Sequence, residues 1–182
     1  MQTFIALLRG INVGGKALVS MADLRRMLDD LGFGDVRTLL QSGNAVFTSD
    51  ARASAKLEDR LEEQAAERLG LRPAFFVRSA DEWADIVAKN PFADEARRDP
   101  AHLVVVALKT KPDASAVAAL QAAVSGPELV RAHGRELYVT YPAGQGRSKL
   151  TNAVIEKKLA TRGTARNWNT VLKLGAIAQA QT

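Results

Sequence analysis

Residues that could bind an anion follow the first apolar segment of the chain. Residues 3–8 are apolar apart from Thr3, Arg9 follows them, and a glycine-rich stretch with a lysine comes next. Such a loop can point backbone N–H groups outward, and a neighbouring cation adds positive charge, so the pattern is typical of anion capture. The residues that we predict to contact a ligand here are Arg9, Gly10, Asn12, Gly14, Gly15 and Lys16.

The same stretch matches half of a nucleotide-binding P-loop. Gly10 to Lys16 reads G-x-x-x-x-G-K, but Ala17 stands where a hydroxyl would hold Mg²⁺. Ser20, with Asp23 three positions later, is the predicted cap of the next helix, which therefore begins well after the lysine. We predict a looser anion-binding loop. The alternative is that the glycines only permit a sharp turn.

Three later segments carry further polar candidates. Ser42-Gly43-Asn44 is typical of a hairpin turn, and the Asn44 amide could brace a ligand. The stretch from Gly146 to Asn152 is a basic loop entering a helix, with Ser148 as its predicted cap. Arg166 to Thr170 opens the last predicted helix, where Asn167 with Thr170 can be plain capping, and we interpret Trp168 as a core residue. A plain hairpin turn is the alternative for the first segment, and a capped helix with a solvated cationic start is the alternative for the second. The candidates in these segments are Ser42, Asn44, Arg147, Ser148, Lys149, Asn152, Arg166 and Asn169.

The residue inventory excludes several kinds of chemistry. The chain has no cysteine, so thiolate nucleophiles and thiolate metal sites are excluded. Its two histidines, His102 and His133, lack motif spacing, and we predict no metal site. We interpret His102 as a structural residue of an apolar strand and His133 as a turn residue. No catalytic set is recognisable, so the sequence names neither a reaction nor a cofactor.

The charge of the chain is concentrated towards its end. Residues 131–182 contain nine lysines and arginines against two acids, while the whole 182-residue chain has a net charge of +5. This asymmetry favours an anionic partner, although a solvated basic face is the simpler alternative.

We predict a cytoplasmic protein, because the N-terminus has no basic segment typical of a signal peptide and no apolar run is long enough to cross a membrane.

Hydrophobic periodicity predicts an α+β fold with antiparallel sheets and helices packed on them. Residues 1–79 are predicted to form β-α-β-β-α-β, the split βαβ unit of ferredoxin-like folds. Ser79 and Glu82 form a capping-box signature for the helix that follows. Residues 80–182 repeat the first five elements and add a C-terminal helix, which predicts a second ferredoxin-like half. Within it we predict a polar loop over 94–100, a turn at His133-Gly134, and helices over 149–159 and 167–178.

Four segments together resemble a known family. They are Leu7-Leu8-Arg9-Gly10-Ile11-Asn12-Val13-Gly14-Gly15, Leu40-Gln41-Ser42-Gly43-Asn44, Ser148-Lys149-Leu150-Thr151-Asn152 and Arg166-Asn167-Trp168-Asn169-Thr170. In this order they are similar to domain-of-unknown-function family 1697, a bacterial group. The resemblance implies two ferredoxin-like halves. It implies no catalytic residue, because the family has no established activity.

Three functional hypotheses remain open from the sequence. The first is an anionic, phosphate-containing small ligand bound where loops 9–16, 42–44 and 147–152 converge, with phosphoryl transfer or hydrolysis as the chemistry such a site could perform. The second is a nucleic-acid-binding module that uses the basic C-terminal third. The third is a structural or dimerising protein. The sequence decides neither the ligand nor the oligomeric state.

Overall fold

The computed structural model describes residues 1–11 and 19–181. The strands are β1 (Gln2–Arg9), β2 (Gly34–Thr38), β3 (Asn44–Ser49), β4 (Ala74–Ser79), β5 (Leu103–Leu108), β6 (Leu129–His133), β7 (Glu136–Thr140) and β8 (Gly163–Asn167). The helices are α1 (Met21–Asp30), α2 (Ser54–Leu69), α3 (Ala80–Ala88), α4 (Ala93–Arg98), α5 (Ala114–Ala123), α6 (Asn152–Leu159) and α7 (Trp168–Gln179). None of these helices is long and apolar enough to span a membrane.

The chain divides into two compact units. The first contains Met1–Asp85 and Lys173–Thr182, and the second contains Ile86–Leu172. The boundary therefore lies within α3, and the last residues of the chain belong with its beginning. The predicted domain division between residues 79 and 80 stays a prediction, since compactness alone does not define a domain.

The first unit is a four-stranded antiparallel sheet with helices on one face. Its strand order is β2-β3-β1-β4. Side chains alternate along β1, so that Phe4, Ala6 and Leu8 pack in one core with Leu24 of α1 and Leu61 of α2. This is the period of two expected for a strand with a covered face. The predicted ferredoxin-like half is confirmed.

The second unit repeats that architecture. Its sheet has the order β6-β7-β5-β8, again with antiparallel pairs. Val104, Val106 and Leu108 of β5 pack with Leu120 of α5 and Ile155 of α6. Each strand thus occupies the place of its counterpart in the first unit, and the predicted fold of two ferredoxin-like units is confirmed.

Two elements of the second unit correct the sequence-based prediction. We predicted no strand before the last helix, but β8 pairs with β5 from Gly163 to Asn167. This strand is short and polar, so its composition does not predict a strand. Its hydrogen-bonded pairing with β5 shows that it is one. The polar segment predicted as a loop over 94–100 contains α4, whose acids lie in the first turn and whose arginines lie in the last. That arrangement complements the helix dipole.

Local boundaries also differ from the prediction. The helix expected from residue 149 begins at Asn152, and Thr151 caps it by accepting a hydrogen bond from the Val154 N–H. Ser148 is therefore not the N-cap. His133 pairs with Glu136 as the last residue of β6, so the hairpin turns one residue later than predicted. His102 precedes β5 and is largely exposed, which corrects its placement inside the strand.

Other local predictions are confirmed by side-chain geometry. Ser20 accepts a hydrogen bond from the Asp23 N–H at 2.9 Å, capping α1. The Glu82 N–H donates to the Ser79 hydroxyl, while the Ser79 N–H donates to the Glu82 carboxylate, which completes the predicted capping box. Trp168 is 4% exposed, as expected for a core residue.

Candidate functional site

In the first unit, the end of β1 lies beside the turn that precedes β3. Arg9 is half-buried at the end of its strand, and Gly10 adopts a left-handed φ of 74°. The Leu8 N–H donates to the Gly43 carbonyl at 2.8 Å, so the two segments are held together. The other candidates of this loop, Asn12, Gly14, Gly15 and Lys16, lie outside the described residues.

The turn before β3 is closed by its own side chains. Asn44 is completely buried, and its amide donates to the Leu39 carbonyl at 2.7 Å and to the Ser42 hydroxyl at 3.1 Å. A Cβ on Gly43 would lie 2.8 Å from Cβ of Leu8, which is closer than real Cβ atoms approach. The Asn44 amide therefore braces this turn. Ligand contact by Ser42 or Asn44 stays a prediction.

The start of α1 bears on the P-loop interpretation. The helix begins at Met21 with Ser20 as its cap. A P-loop needs its helix to open at the Gly-Lys pair, so that the helix N-terminus faces the phosphates. The later helix start agrees with the sequence argument against a nucleotide-binding P-loop.

In the second unit, the predicted basic loop lines a cavity of about 270 Å³. Arg147, Ser148 and Lys149 form part of its wall, and the segment Gly126 to Glu128 forms another part. Apolar side chains complete the lining, among them Leu120, Val124 and Val154. The cavity lies wholly within the second unit, so its geometry depends on one compact unit only.

Two cations at this cavity have no partner among residues 1–11 and 19–181. Arg147 and Lys149 are both exposed. Neither side chain forms an ion pair or a hydrogen bond with any residue in the described part of the chain. Their charges are therefore available to an anion, and a short 3-10 turn (Gln145–Arg147) leads the backbone into this position.

A buried carboxylate lies in the wall of the same cavity. Glu128 is 8% exposed, and its Oε1 accepts a short hydrogen bond from the Ser148 hydroxyl. The Ser148 hydroxyl also accepts from the Leu150 N–H at 2.9 Å. Ser148 thus links the basic loop to a negative charge, and this arrangement fixes the loop between Arg147 and Lys149.

The negative charge of Glu128 also acts on the tyrosine beneath the loop. Tyr141 is 1% exposed, and its hydroxyl donates to the Leu150 carbonyl at 2.9 Å. Burial, and secondarily the charge of Glu128, raise the pKa of Tyr141 to about 12. Tyr141 therefore stays neutral and holds the backbone at Leu150 from below.

The remaining candidates lie on other parts of the second unit. Arg166 donates to the Thr164 hydroxyl at 3.0 Å and to the Ala165 carbonyl at 2.8 Å, and burial lowers its pKa to about 10. Asn169 is exposed in the first turn of α7. The side-chain oxygen of Asn152 is buried and lacks a hydrogen-bond partner among the described residues. Arg166, Asn169 and Asn152 are not part of the lining given for the cavity.

The sequence-based candidates therefore belong to two units. Arg9, Gly10, Ser42 and Asn44 lie in the first, while Arg147, Ser148, Lys149, Asn152, Arg166 and Asn169 lie in the second. Their convergence into one composite site stays a prediction. The sequence analysis did not identify Glu128, Gly126 or Tyr141. Glu128 follows Gly126-Pro127 in the sequence, and no local pattern connects it to the basic loop around Ser148.

The nucleic-acid hypothesis receives no support from the central strands. Modules of this fold class bind RNA by stacking bases on exposed aromatic rings of the sheet. All six residues of β3 are buried, as are the six inner residues of β1. No aromatic residue stands among the large exposed hydrophobic side chains of the described chain.

Within residues 1–11 and 19–181, no group of acids and histidines could hold a metal ion.

Comparison with known proteins identifies the family of this chain. The model of the DUF1697 family, proteins of unknown function, matches residues 1–138, so the chain belongs to that family. A search of curated proteins gave no match. The solved structure of a conserved bacterial protein, SP0830 from Streptococcus pneumoniae, is similar over 97% of this chain and 98% of its own, with 26% identity and a TM-score of 0.78.

Proposed function

We propose that this protein binds a small phosphate-containing ligand, and that Arg147 and Lys149 of the second unit hold its anionic group. The observation that carries this proposal is the presence, on the wall of one cavity, of two exposed cations that form no ion pair with the described residues. Charged donors bind phosphate oxygens more strongly than neutral donors do. The net positive charge of residues 131–182 would favour the approach of such a ligand.

The size and lining of the cavity define the ligand further. Its volume of about 270 Å³ is close to the lower end of small-molecule pockets, which begin at roughly 300 Å³. Leu120, Val124 and Val154 give one side an apolar surface. These features fit a phosphate ester with a short carbon body better than a nucleotide or a polymer.

The proposal concerns binding without a chemical step. Phosphoryl transfer or hydrolysis would need a nucleophile or general base directed at the phosphorus. Ser148 and Glu128 are residues of the right types in the cavity, but their hydrogen bond joins them to each other, and the Leu150 N–H also binds the serine hydroxyl. This geometry supports a braced binding loop.

Calorimetric titration with ethyl phosphate tests the proposal. We expect saturable binding to the wild-type chain that weakens with added salt, since the two cations are exposed. The double variant Arg147→Ala/Lys149→Ala should bind roughly a hundredfold more weakly, because each lost cation removes a charged hydrogen bond worth about tenfold in affinity.

The matched control is Lys157→Ala. Lys157 is an exposed lysine of α6 that does not line the cavity. This variant should keep the wild-type affinity within about twofold, since exposed remote charges are screened. Absence of binding in the wild type, or an equal loss of affinity in the control and the double variant, would contradict the proposal.

A further inference from the structure

We propose that the cavity of the second unit selects zwitterionic ligands, in which a protonated amine binds Glu128 while the anionic group binds Arg147 and Lys149. This inference rests on the proposed function, because it concerns the same cavity. It adds the chemical class of the ligand: a small phosphate ester that also carries an amine.

The first support is the incomplete hydrogen bonding of a buried carboxylate. Glu128 is 8% exposed, and Ser148 donates to its Oε1. Its Oε2 has no hydrogen-bond partner among residues 1–11 and 19–181, and no ion pair reaches the side chain there. A carboxylate so far removed from water normally has a cation or several donors beside it.

The second support is the space kept beside that oxygen. Gly126 also lines the cavity, and a Cβ at this position would overlap Oε2 of Glu128. No positive φ occurs here, and a Cβ would oblige the flexible Glu128 side chain to move, so glycine allows the carboxylate its present position. Gly126 lets the carboxylate lie within the wall of the cavity.

The third support is the placement of opposite charges around a small volume. Arg147, Lys149 and Glu128 all line the same cavity of about 270 Å³. A simple anion would satisfy the two cations and would leave the carboxylate unpaired. An ammonium group supplies both a compensating charge and up to three donors, whereas a hydroxyl supplies one donor and no charge. A zwitterion therefore matches all three side chains.

Two ligands that differ by one ammonium group test this inference. O-Phosphoethanolamine and ethyl phosphate share the phosphate ester and the two-carbon body. By calorimetric titration, the wild-type chain should bind phosphoethanolamine about tenfold or more tightly than ethyl phosphate, as expected for a charged hydrogen bond at a buried acid. In Glu128→Gln the ratio of the two affinities should fall to within about twofold.

A second variant tests the inference independently in case Glu128→Gln fails to fold. Gly126→Ala forces the carboxylate away from its position while keeping its charge, and it should also reduce the preference for phosphoethanolamine. Lys157→Ala should keep the wild-type preference, and far-UV circular dichroism checks the fold of each variant.

The outcomes separate the two proposals. If ethyl phosphate binds and the amine gives no gain, or if Glu128→Gln keeps the full preference, zwitterion selection is wrong and anion binding stands. If neither compound binds the wild-type chain, both proposals are overturned.

Discussion

Two buried carboxylates, one in each unit, have opposite surroundings. In the first unit, Glu58 is 4% exposed, accepts the Val77 N–H at 2.8 Å and pairs with the Arg78 guanidinium at 3.4 Å. Arg78 itself is 2% exposed. In the second unit, Glu128 is 8% exposed, receives the Ser148 hydroxyl and lies in the wall of a cavity. Similar burial therefore accompanies two different ways of compensating a negative charge.

The difference indicates two roles. The charge of Glu58 is neutralised inside the fold, where it joins α2 to β4. Glu128 forms no ion pair with a cation of the described residues, so a ligand can supply one. Burial of an acid alone does not mark a site. The partner of that acid and its access to a cavity distinguish a structural residue from a candidate binding residue.

Two of the three loops predicted to bind ligand differ in the same way. The Ser42 to Asn44 turn directs its amide donors inward, to Leu39 and Ser42. The loop around Arg147 and Lys149 presents its cations to solvent and to the cavity. The amide donors of the first loop bind residues of that loop, whereas the two cations of the second loop are available to a ligand.

The largest expected effect comes from breaking the ion pair of the first unit. Glu58→Gln removes the negative charge that pairs with the buried Arg78 guanidinium, so we expect a loss of about 3–5 kcal/mol in the free energy of unfolding. Urea denaturation measures this loss. The control is Arg97→Ala, which removes an exposed pair with Asp94 and should cost less than about 1 kcal/mol. Equal losses in the two variants would show that the buried pair of Glu58 and Arg78 contributes no more to stability than an exposed ion pair does.

Two glycines of the first unit should respond differently to alanine. Gly43 and Gly10 have φ values of 77° and 74°, so either substitution carries the penalty of about 1–2 kcal/mol for a left-handed residue. A Cβ on Gly43 would also meet Leu8 at 2.8 Å, whereas nothing lies within 4 Å of a Cβ on Gly10. We expect Gly43→Ala to cost about 1–3 kcal/mol more than Gly10→Ala in urea unfolding. Equal costs would show that the turn before β3 is not closely packed.

Tyr141 gives the second unit a measurable pH dependence. Its pKa is raised from 10.0 to about 12 by burial and by Glu128, so the folded state holds the phenol proton more tightly than the unfolded state. The stabilisation is complete below pH 10 and is lost as the pH rises towards 12. The lowered pKa of Arg166, about 10, acts in the opposite direction at alkaline pH.

Comparison of the wild type with Tyr141→Phe separates these two effects, because Arg166 is present in both. At neutral pH the variant should lose about 1 kcal/mol, since the hydrogen bond to the Leu150 carbonyl is removed. Between pH 10 and 12 the stability of the wild type should fall more steeply than that of the variant. Parallel curves from urea denaturation at each pH would contradict the assigned shift.

The smallest expected effect on stability is that of Glu128→Gln. This change removes a buried charge that forms no ion pair within residues 1–11 and 19–181, so the free energy of unfolding should stay within about 1 kcal/mol of the wild type or rise. Chemical denaturation of Glu128→Gln and Glu58→Gln under the same conditions compares their free energies of unfolding directly. A loss as large as that of Glu58→Gln would assign Glu128 a structural role and remove the contrast between the two carboxylates.

Much of the fold follows from local sequence patterns. Continuous apolar runs in β1 and β5 and the caps at Ser20 and Ser79 specify their elements directly. The short strand β8 could not be predicted in this way, because it contains polar residues and depends on pairing with distant β5. The helix α4 was not predicted because a short run of charged residues is also typical of a loop. Only the structure shows that the acids lie in its first turn and the arginines in its last.

The candidate site was predictable only in part. Arg147 and Lys149 were identified because a basic loop before a helix has a local signature. Glu128 lies twenty positions before Ser148 in the chain, and its contact with that residue depends on the tertiary fold. Asn44 was also identified from a local pattern, and its amide braces the turn, while its contact with a ligand stays a prediction.

The most direct test is to locate bound phosphoethanolamine by nuclear magnetic resonance. Titration of the ¹⁵N-labelled chain should shift the backbone amide signals of Ser148, Lys149 and Leu150, and Glu128→Gln should greatly reduce these shifts. The signals of Gly10 and Gly43 in the first unit serve as the internal comparison. Shifts confined to Gly10 and Gly43, or the absence of any shift, would contradict the assignment of ligand binding to the cavity of the second unit.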